Sequence, residues 1–251
     1  MERQNIFIND KIFHTIPALS GSAASLTIRL MKERTAAIVG STGLIGGKLL
    51  ELLLNDRYFD VIRLIVRHPV EINNPAVRVL VIDFSDEISF KSAIAGCDAL
   101  FCAAGTTQKK VNGDKTAYYK VDYDIPVNAA RFCKETGCPV FLLVSSVGAD
   151  SKSNNFYLKL KGAVEDKIQE MKIASVSVFR PSMLLGKRKE FRLGEEVAKA
   201  ISTPLSFLFP SKYKPVKAEN VAGAMIAASK KATPGFNVYH YREMINTIET
   251  S

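Results

Sequence analysis

The sequence predicts an α/β domain built on a doubly wound parallel sheet, and two observations lead there. Short apolar runs at residues 36–39, 61–66, 77–82, 99–104, 139–144 and 176–179 alternate with helix-compatible stretches at 47–54, 89–95, 123–135 and 157–171. Buried strands separated by amphipathic helices are the pattern of a parallel sheet covered on both faces. The second observation is the stretch AAIVGSTGLIGGKLL at residues 36–50, in which an apolar strand meets Gly40, Gly43 and Gly46 and then a helix-compatible run. A strand, a glycine turn and a helix open a nucleotide-binding βαβ unit. One glycine permits a turn with positive φ, one lets the backbone approach a pyrophosphate, and one lets the helix pack on its strand. The helix N-terminus then offers free N–H groups and a positive dipole end to the phosphates.

Bulk properties agree with one globular unit. The chain has 251 residues, 47% hydrophobic and 24% charged, enough to bury a substantial core. No apolar run reaches the ~18 residues of a membrane span, so no membrane partner is expected. The formal charge of +9 comes from scattered basic residues without a zinc, helix-turn-helix or aromatic RNA-binding motif, so no nucleic-acid partner is expected either. Cys97, Cys102, Cys133 and Cys138 form no C-x-x-C pair and read as reduced thiols of a cytoplasmic protein. His14, His68 and His240 lack metal-ligand spacing, and no metal is expected.

Taken in order, residues 1–33 read as a dispensable N-terminal extension, with Met31 as an alternative start just before the first strand. Residues 34–251 read as a single domain. The second strand ends in Arg67 and His68, about 20 residues beyond the last motif glycine. In dinucleotide-binding sheets an acidic residue here accepts the ribose 2′-hydroxyl. A guanidinium binds a 2′-phosphate bidentately instead, which predicts NADP(H) over NAD(H); the plainer alternative is a solvated strand-end charge. Asp83 and Phe84, after the third strand, fall where an adenine could be met, although a loop carboxylate would look the same. Ala103, Ala104 and Gly105 end the fourth strand in small residues that leave room for a flat cofactor.

The chemistry-bearing residues follow. Ser145 and Ser146 end the fifth strand, and Tyr157 and Lys161 stand four apart on the next helix, hence on one face. A phenol of pKa ~10 becomes a useful proton donor–acceptor near neutral pH when a cation lies beside it. Lys161 supplies that cation, and a serine hydroxyl can hydrogen-bond a reacting carbonyl. Side chains alternate along a strand, so only one of the two serines can face the site; Ser146 is favoured. Beyond Pro181, the basic run at 187–189 reads as a solvated loop and the apolar run at 201–209 as core, with a pocket wall or a dimer face as the alternatives. The alternation at 236–241 predicts a last strand.

This set resembles the short-chain dehydrogenase/reductase superfamily, whose extended and atypical branches space their glycines as G-x-x-G-x-x-G, here Gly40, Gly43 and Gly46. The stretches AAGTT, VSSVGADSKSNNFYLKLKGAVEDKI and VFRPSMLLGKRKEFRLGE are similar to the Tat-interacting-protein-like oxidoreductases, an atypical NADP(H)-binding group. The resemblance covers about residues 34–240, and it implies substrate-covering segments at about 183–215 and a closing helix after Val216. It implies an NAD(P)-binding Rossmann fold with NADPH held by Thr42, Gly43, Leu44, Ile45 and Gly46, by Arg67 and His68, and by Ala104 and Gly105. Tyr157 would be the proton donor or acceptor and Lys161 its partner, and Leu184 and Arg192 would complete the pocket. Where the superfamily often carries an asparagine that supports a proton relay, the nearest residue here is Asp122. The implied activity is hydride transfer between a nicotinamide and a carbonyl or alcohol substrate, by a monomer or homodimer. The alternative is a non-catalytic NADPH-binding redox sensor or assembly protein.

Overall fold

A computed structural model describes residues 33–106, 112–185 and 211–250. In chain order the main elements begin with β1 (Thr35–Val39), α1 (Leu44–Asn55), β2 (Val61–Val66), β3 (Val77–Val81), α2 (Glu87–Ile94) and β4 (Ala99–Cys102). They continue through α3 (Lys115–Tyr119), a π-helical turn (Lys120–Asp124), α4 (Ile125–Glu135), β5 (Val140–Val144), α5 (Phe156–Glu170) and β6 (Ser175–Phe179). After these come β7 (Leu184–Leu185), β8 (Val216–Lys217), a helix α6 (Ala218–Lys231), β9 (Gly235–Tyr239) and a final helix α7 (Tyr241–Glu249).

The main sheet runs β3-β2-β1-β4-β5-β6-β9, and every neighbouring pair is parallel. Alternation along β1 shows why both faces are covered. Ala36 and Ile38 join Leu49 and Leu53 of α1 and Val221 and Met225 of α6 in one core. Ala37 and Val39 point the other way, to Phe90 of α2, Phe132 of α4 and Val164 and Ile168 of α5. The fold is therefore the doubly wound Rossmann-type sheet. Its strand order reverses between β1 and β4, and a crevice opens at their carboxyl ends, the place where such sheets bind ligands.

The structure departs from the sequence expectations in a few places, each for a local reason. The fourth strand stops at Cys102 rather than at residue 104; the Ala103 N–H makes a last bond to the Val39 carbonyl at 2.9 Å, and residues 103–106 line the crevice. The helix expected to begin at residue 123 is the last part of a helical run from Lys115, with Pro126 well inside it. Proline has no N–H to give the preceding turn and its ring crowds the carbonyl four residues back. The wider π turn, in which the Ile125 N–H reaches the Lys120 carbonyl, accommodates it. The last strand spans Gly235–Tyr239, so Tyr241 begins α7, a helix that the alternation did not announce. Residues 1–32 with Met31, the run at 187–189, Arg192 and the run at 201–209 lie outside the described residues.

Candidate functional site

The site begins at the glycine turn. Gly40 has φ +87°, and a Cβ there would stand 2.7 Å from the Ala103 carbonyl and the Ala104 nitrogen. Only glycine lets β1 turn this close to the end of β4. The Gly43 N–H donates to the Gly40 carbonyl at 3.0 Å and closes the turn. At Gly46 a Cβ would lie 2.0 Å from the Gly40 oxygen, so the missing side chain is what allows α1 to start against its strand. The N-cap position of α1 is Gly43, no side chain caps it, and its first turn carries no acid. Its amide end is thus open to an anion.

That end faces a crevice of about 200 Å³. Its walls are the glycine turn with Ser41 and Thr42, the end of β2 with Arg67 and His68, Phe84, residues 103–106, and Val121 and Ile125. The chain thus gathers Gly40, Thr42, Gly43, Arg67, His68, Phe84, Ala104 and Gly105 around one opening. Ile45 and Gly46 sit behind it, buried in α1. The Ser41 hydroxyl in its wall is buried and has no hydrogen-bond partner among the described residues. Together with the open helix end, this orphaned donor fits the phosphates of a dinucleotide. Sequence reading passed over Ser41 because its one signal, a buried hydroxyl without a partner, exists only once the turn has folded.

Two expected cofactor contacts stand apart. Asp83 does not line the crevice; its carboxylate accepts the Ser85 N–H at 2.9 Å. Hydrogen bonds from Ser85, first from its backbone, hold that carboxyl below the usual range. Leu184 sits half-buried on β7, paired with Val216 and packed against the core.

The chemistry-bearing residues come from β5 and α5. Asn155 caps α5, its side chain accepting the Tyr157 and Leu158 N–H groups at 3.0 and 3.1 Å. This fixes the start of the helix and hence the face on which Tyr157, Lys161 and Glu165 follow one another at four-residue steps. The Lys161 ammonium lies 5.9 Å from the centre of the Tyr157 ring. It is buried, 3.0 Å from Asp122 Oδ1, and the other Asp122 oxygen accepts the Thr106 N–H at 2.7 Å. The π turn delivers Asp122 to this place, and such turns recur at functional sites.

The two serines are separated by their partners. Ser145 Oγ donates to Glu165, whose carboxylate also takes Arg180 Nε at 3.1 Å and Arg180 Nη2. Among the described residues, Ser146 Oγ reaches only the neighbouring Val147 carbonyl, at 3.3 Å. Cys102, on the strand beneath Lys161, has its thiol pushed up to about 11 by burial, so it stays neutral.

Comparison with known proteins agrees with this geometry. Residues 40–199 match the family described as NAD(P)H-binding. The chain is 36% identical to the rat (Rattus norvegicus) protein HTATIP2 over 186 residues, 73% of this chain and 76% of the relative. It is 31% identical to the protein FMP52, mitochondrial, of Candida albicans over 205 residues, 79% of this chain and 89% of the relative. Among solved structures, uronate dehydrogenase from Agrobacterium tumefaciens has a TM-score of 0.63 at 14% identity, covering 83% of this chain and 76% of that one. The Bordetella bronchiseptica enzyme WbmH in complex with NAD+ has a TM-score of 0.62 at 17% identity, covering 83% of this chain and 75% of that one. At such identities the structures speak for the fold.

The same relatives correct one expectation. A cytoplasmic protein was read from the cysteines, whereas several fungal relatives are named as mitochondrial. The cysteines could not decide the compartment, because all four are buried and burial shields a thiol wherever the protein resides. No helix among the described residues is long and apolar enough to cross a membrane. By the glycine-turn crevice, the family match and these relatives, the chain belongs to the NAD(P)H-binding family, in the atypical short-chain dehydrogenase/reductase group of HTATIP2 and FMP52.

Proposed function

We propose that this chain is an NADP(H)-dependent oxidoreductase that moves a hydride between the nicotinamide and a carbonyl or alcohol carbon of a small molecule. The observation that carries the reading is the α5 face, where Tyr157 and a buried Lys161 stand together beside the end of β5. In this reading the glycine turn, Ser41 and the start of α1 take the pyrophosphate, and Arg67 and His68 take the 2′-phosphate. The bound cofactor supplies the hydride. Lys161 holds the nicotinamide ribose and keeps a positive charge near the phenol. Tyr157 gives its proton to the developing alkoxide or removes one from an alcohol, and Ser146, whose hydroxyl among the described residues reaches its neighbour's carbonyl alone, polarises the reacting oxygen.

The experiment is NADPH oxidation over a panel of aldehydes, ketones and quinones, with Tyr157→Phe as the control. Turnover that falls by about 10²–10⁴ in the variant supports the mechanism. Turnover equal in both overturns it. A second reading, an NADPH-binding sensor without turnover, has one observation in its favour: Lys161 is already engaged by Asp122. Tight NADPH binding with silence across the whole panel would select it.

A further inference from the structure

We propose that Gly162 is a positioning residue that sets the spacing between Ser146 and Tyr157. The inference rests on the reading above, that these two side chains act on one substrate oxygen. Gly162 is buried on α5, directly after Lys161. A Cβ there would lie 2.1 Å from the Ser151 nitrogen, and 2.2 and 2.6 Å from the carbonyl carbon and Cα of Asp150. All three are backbone atoms, so no side chain can swing aside: the loop after β5 rests on the bare backbone of the helix. One turn earlier the same loop is bonded to α5, where the Asp150 N–H donates to the Leu158 carbonyl at 3.1 Å. Gly148, with φ +78°, packs over the Leu158 side chain. Positions 158 and 162 are four apart and share a face, which adjoins the face that carries Tyr157 and Lys161.

The other end of the loop is fixed to the sheet. The Ser145 and Val147 N–H groups donate to the Phe179 and Pro181 carbonyls at 2.7 and 2.9 Å, so Ser146 is held between two bonds to the end of β6. The Ala149 N–H donates to the Ser146 carbonyl at 3.1 Å and closes the turn that follows. A short, bonded piece of chain thus spaces the end of β5 from α5, with Ser146 on one side and Tyr157 on the other. Ordinary contact begins at 3.4 Å, so a Cβ on Gly162 parts loop and helix by about 1 Å. Ser146 is tied to the sheet, so the separation falls between it and Tyr157. A misplacement of ~1 Å between reacting groups costs up to about 10²-fold in rate. Neither Gly162 nor residues 148–151 form part of the crevice wall, so the phosphate end of the cofactor keeps its contacts.

The test compares the wild type with Gly162→Ala and Leu158→Ala by three readouts: NADPH stoichiometry from isothermal titration, hydrogen exchange of the Asp150 amide, and kcat and KM per bound NADPH on the best carbonyl substrate of the panel. Gly162→Ala is expected to bind one NADPH per chain and to exchange the Asp150 amide faster. Its kcat per bound cofactor falls about 10–100-fold while KM stays within about three-fold. Leu158→Ala takes away the side chain under Gly148 and adds no bulk, which keeps the test open should Gly162→Ala fail to fold. It is expected to speed the same exchange and to lower kcat by a smaller factor. A merely structural role lowers the fraction of chains that bind NADPH and leaves kcat per bound cofactor at the wild-type value, and that result overturns the proposal. So does faster Asp150 exchange in Leu158→Ala with kcat unchanged. In both cases a wild type that turns over keeps the hydride-transfer reading. A wild type that binds NADPH and turns over nothing removes that reading, and the role of Gly162 with it.

Discussion

Ser145 and Ser146 are neighbours in the chain, yet the fold gives them different partners. Ser145 bonds Glu165 from 20 residues on, and Glu165 in turn holds Arg180 from 15 residues beyond that. Nothing near the serines in sequence announces this, because the partners arrive from a helix and a further strand. What strand alternation could say was that only one serine faces the site; which one is engaged elsewhere needed the tertiary contact. The difference predicts separable effects. Ser145→Ala removes one buried hydrogen bond to a charged carboxylate and costs about 1.5–3 kcal/mol of stability, read by urea unfolding, with turnover largely kept. Ser146→Ala leaves stability nearly unchanged and lowers turnover on any accepted substrate. Glu165→Gln strips Arg180 of its counter-charge. Because Arg180 keeps 25% of its side chain exposed, the cost stays toward the lower end of broken buried pairs, about 2–4 kcal/mol. Equal stability loss in Ser145→Ala and Ser146→Ala would contradict this division.

Elements were legible in the sequence where local chemistry defines them. The glycine turn shows this best, since adjacent glycines at its end have very different room for a side chain. A Cβ on Gly46 would sit 2.0 Å from the Gly40 oxygen, whereas one on Gly47 would sit 3.7 Å from the Ser41 oxygen. Two adjacent substitutions in α1 are thus expected to differ in sign. Gly46→Ala forces the helix off its turn, lowers the melting temperature and abolishes the shift produced by NADPH. Gly47→Ala makes only an ordinary van der Waals contact in a helix and raises stability by up to about 1 kcal/mol through helix propensity. Thermal melts of both variants, with and without NADPH, check the pair. The π turn was not legible, because its only trace is Pro126, which reads equally well as an ordinary helix start. The final helix α7 was hidden for a similar reason. Its N-cap position is His240, outside the usual capping residues, and the sign of a helix start is Glu243 reaching back to the His240 N–H at 3.0 Å.

At the scale of the whole molecule, the parallel sheet follows from the alternation of strands and helices, and the sheet order places the crevice. The choice of cofactor is a finer matter, and the proposal that it turns on charge at the mouth of that crevice belongs to this scale. Arg67 and His68 stand exposed at the end of β2, on the crevice wall, where NAD-selective sheets carry an acid. An exposed guanidinium is free to turn onto a phosphate, and a 2′-phosphate gives it a bidentate partner that a ribose hydroxyl cannot. The consequence is measurable as heat stability. A ligand at ~100 times its Kd adds roughly 2.7 kcal/mol to the folded state. For a domain of this size each kcal/mol moves the melting temperature by about 2–4 °C. NADPH is therefore expected to raise the melting temperature by about 5–10 °C near saturation, and NADH at the same concentration by clearly less. Arg67→Ala should bring the two shifts together by lowering that of NADPH while leaving that of NADH in place. Equal shifts in the wild type would remove Arg67 from the cofactor's choice and leave it a solvated strand-end charge. If NADPH keeps its advantage in Arg67→Ala, the selectivity belongs to another residue of the wall, and His68 is the next to replace.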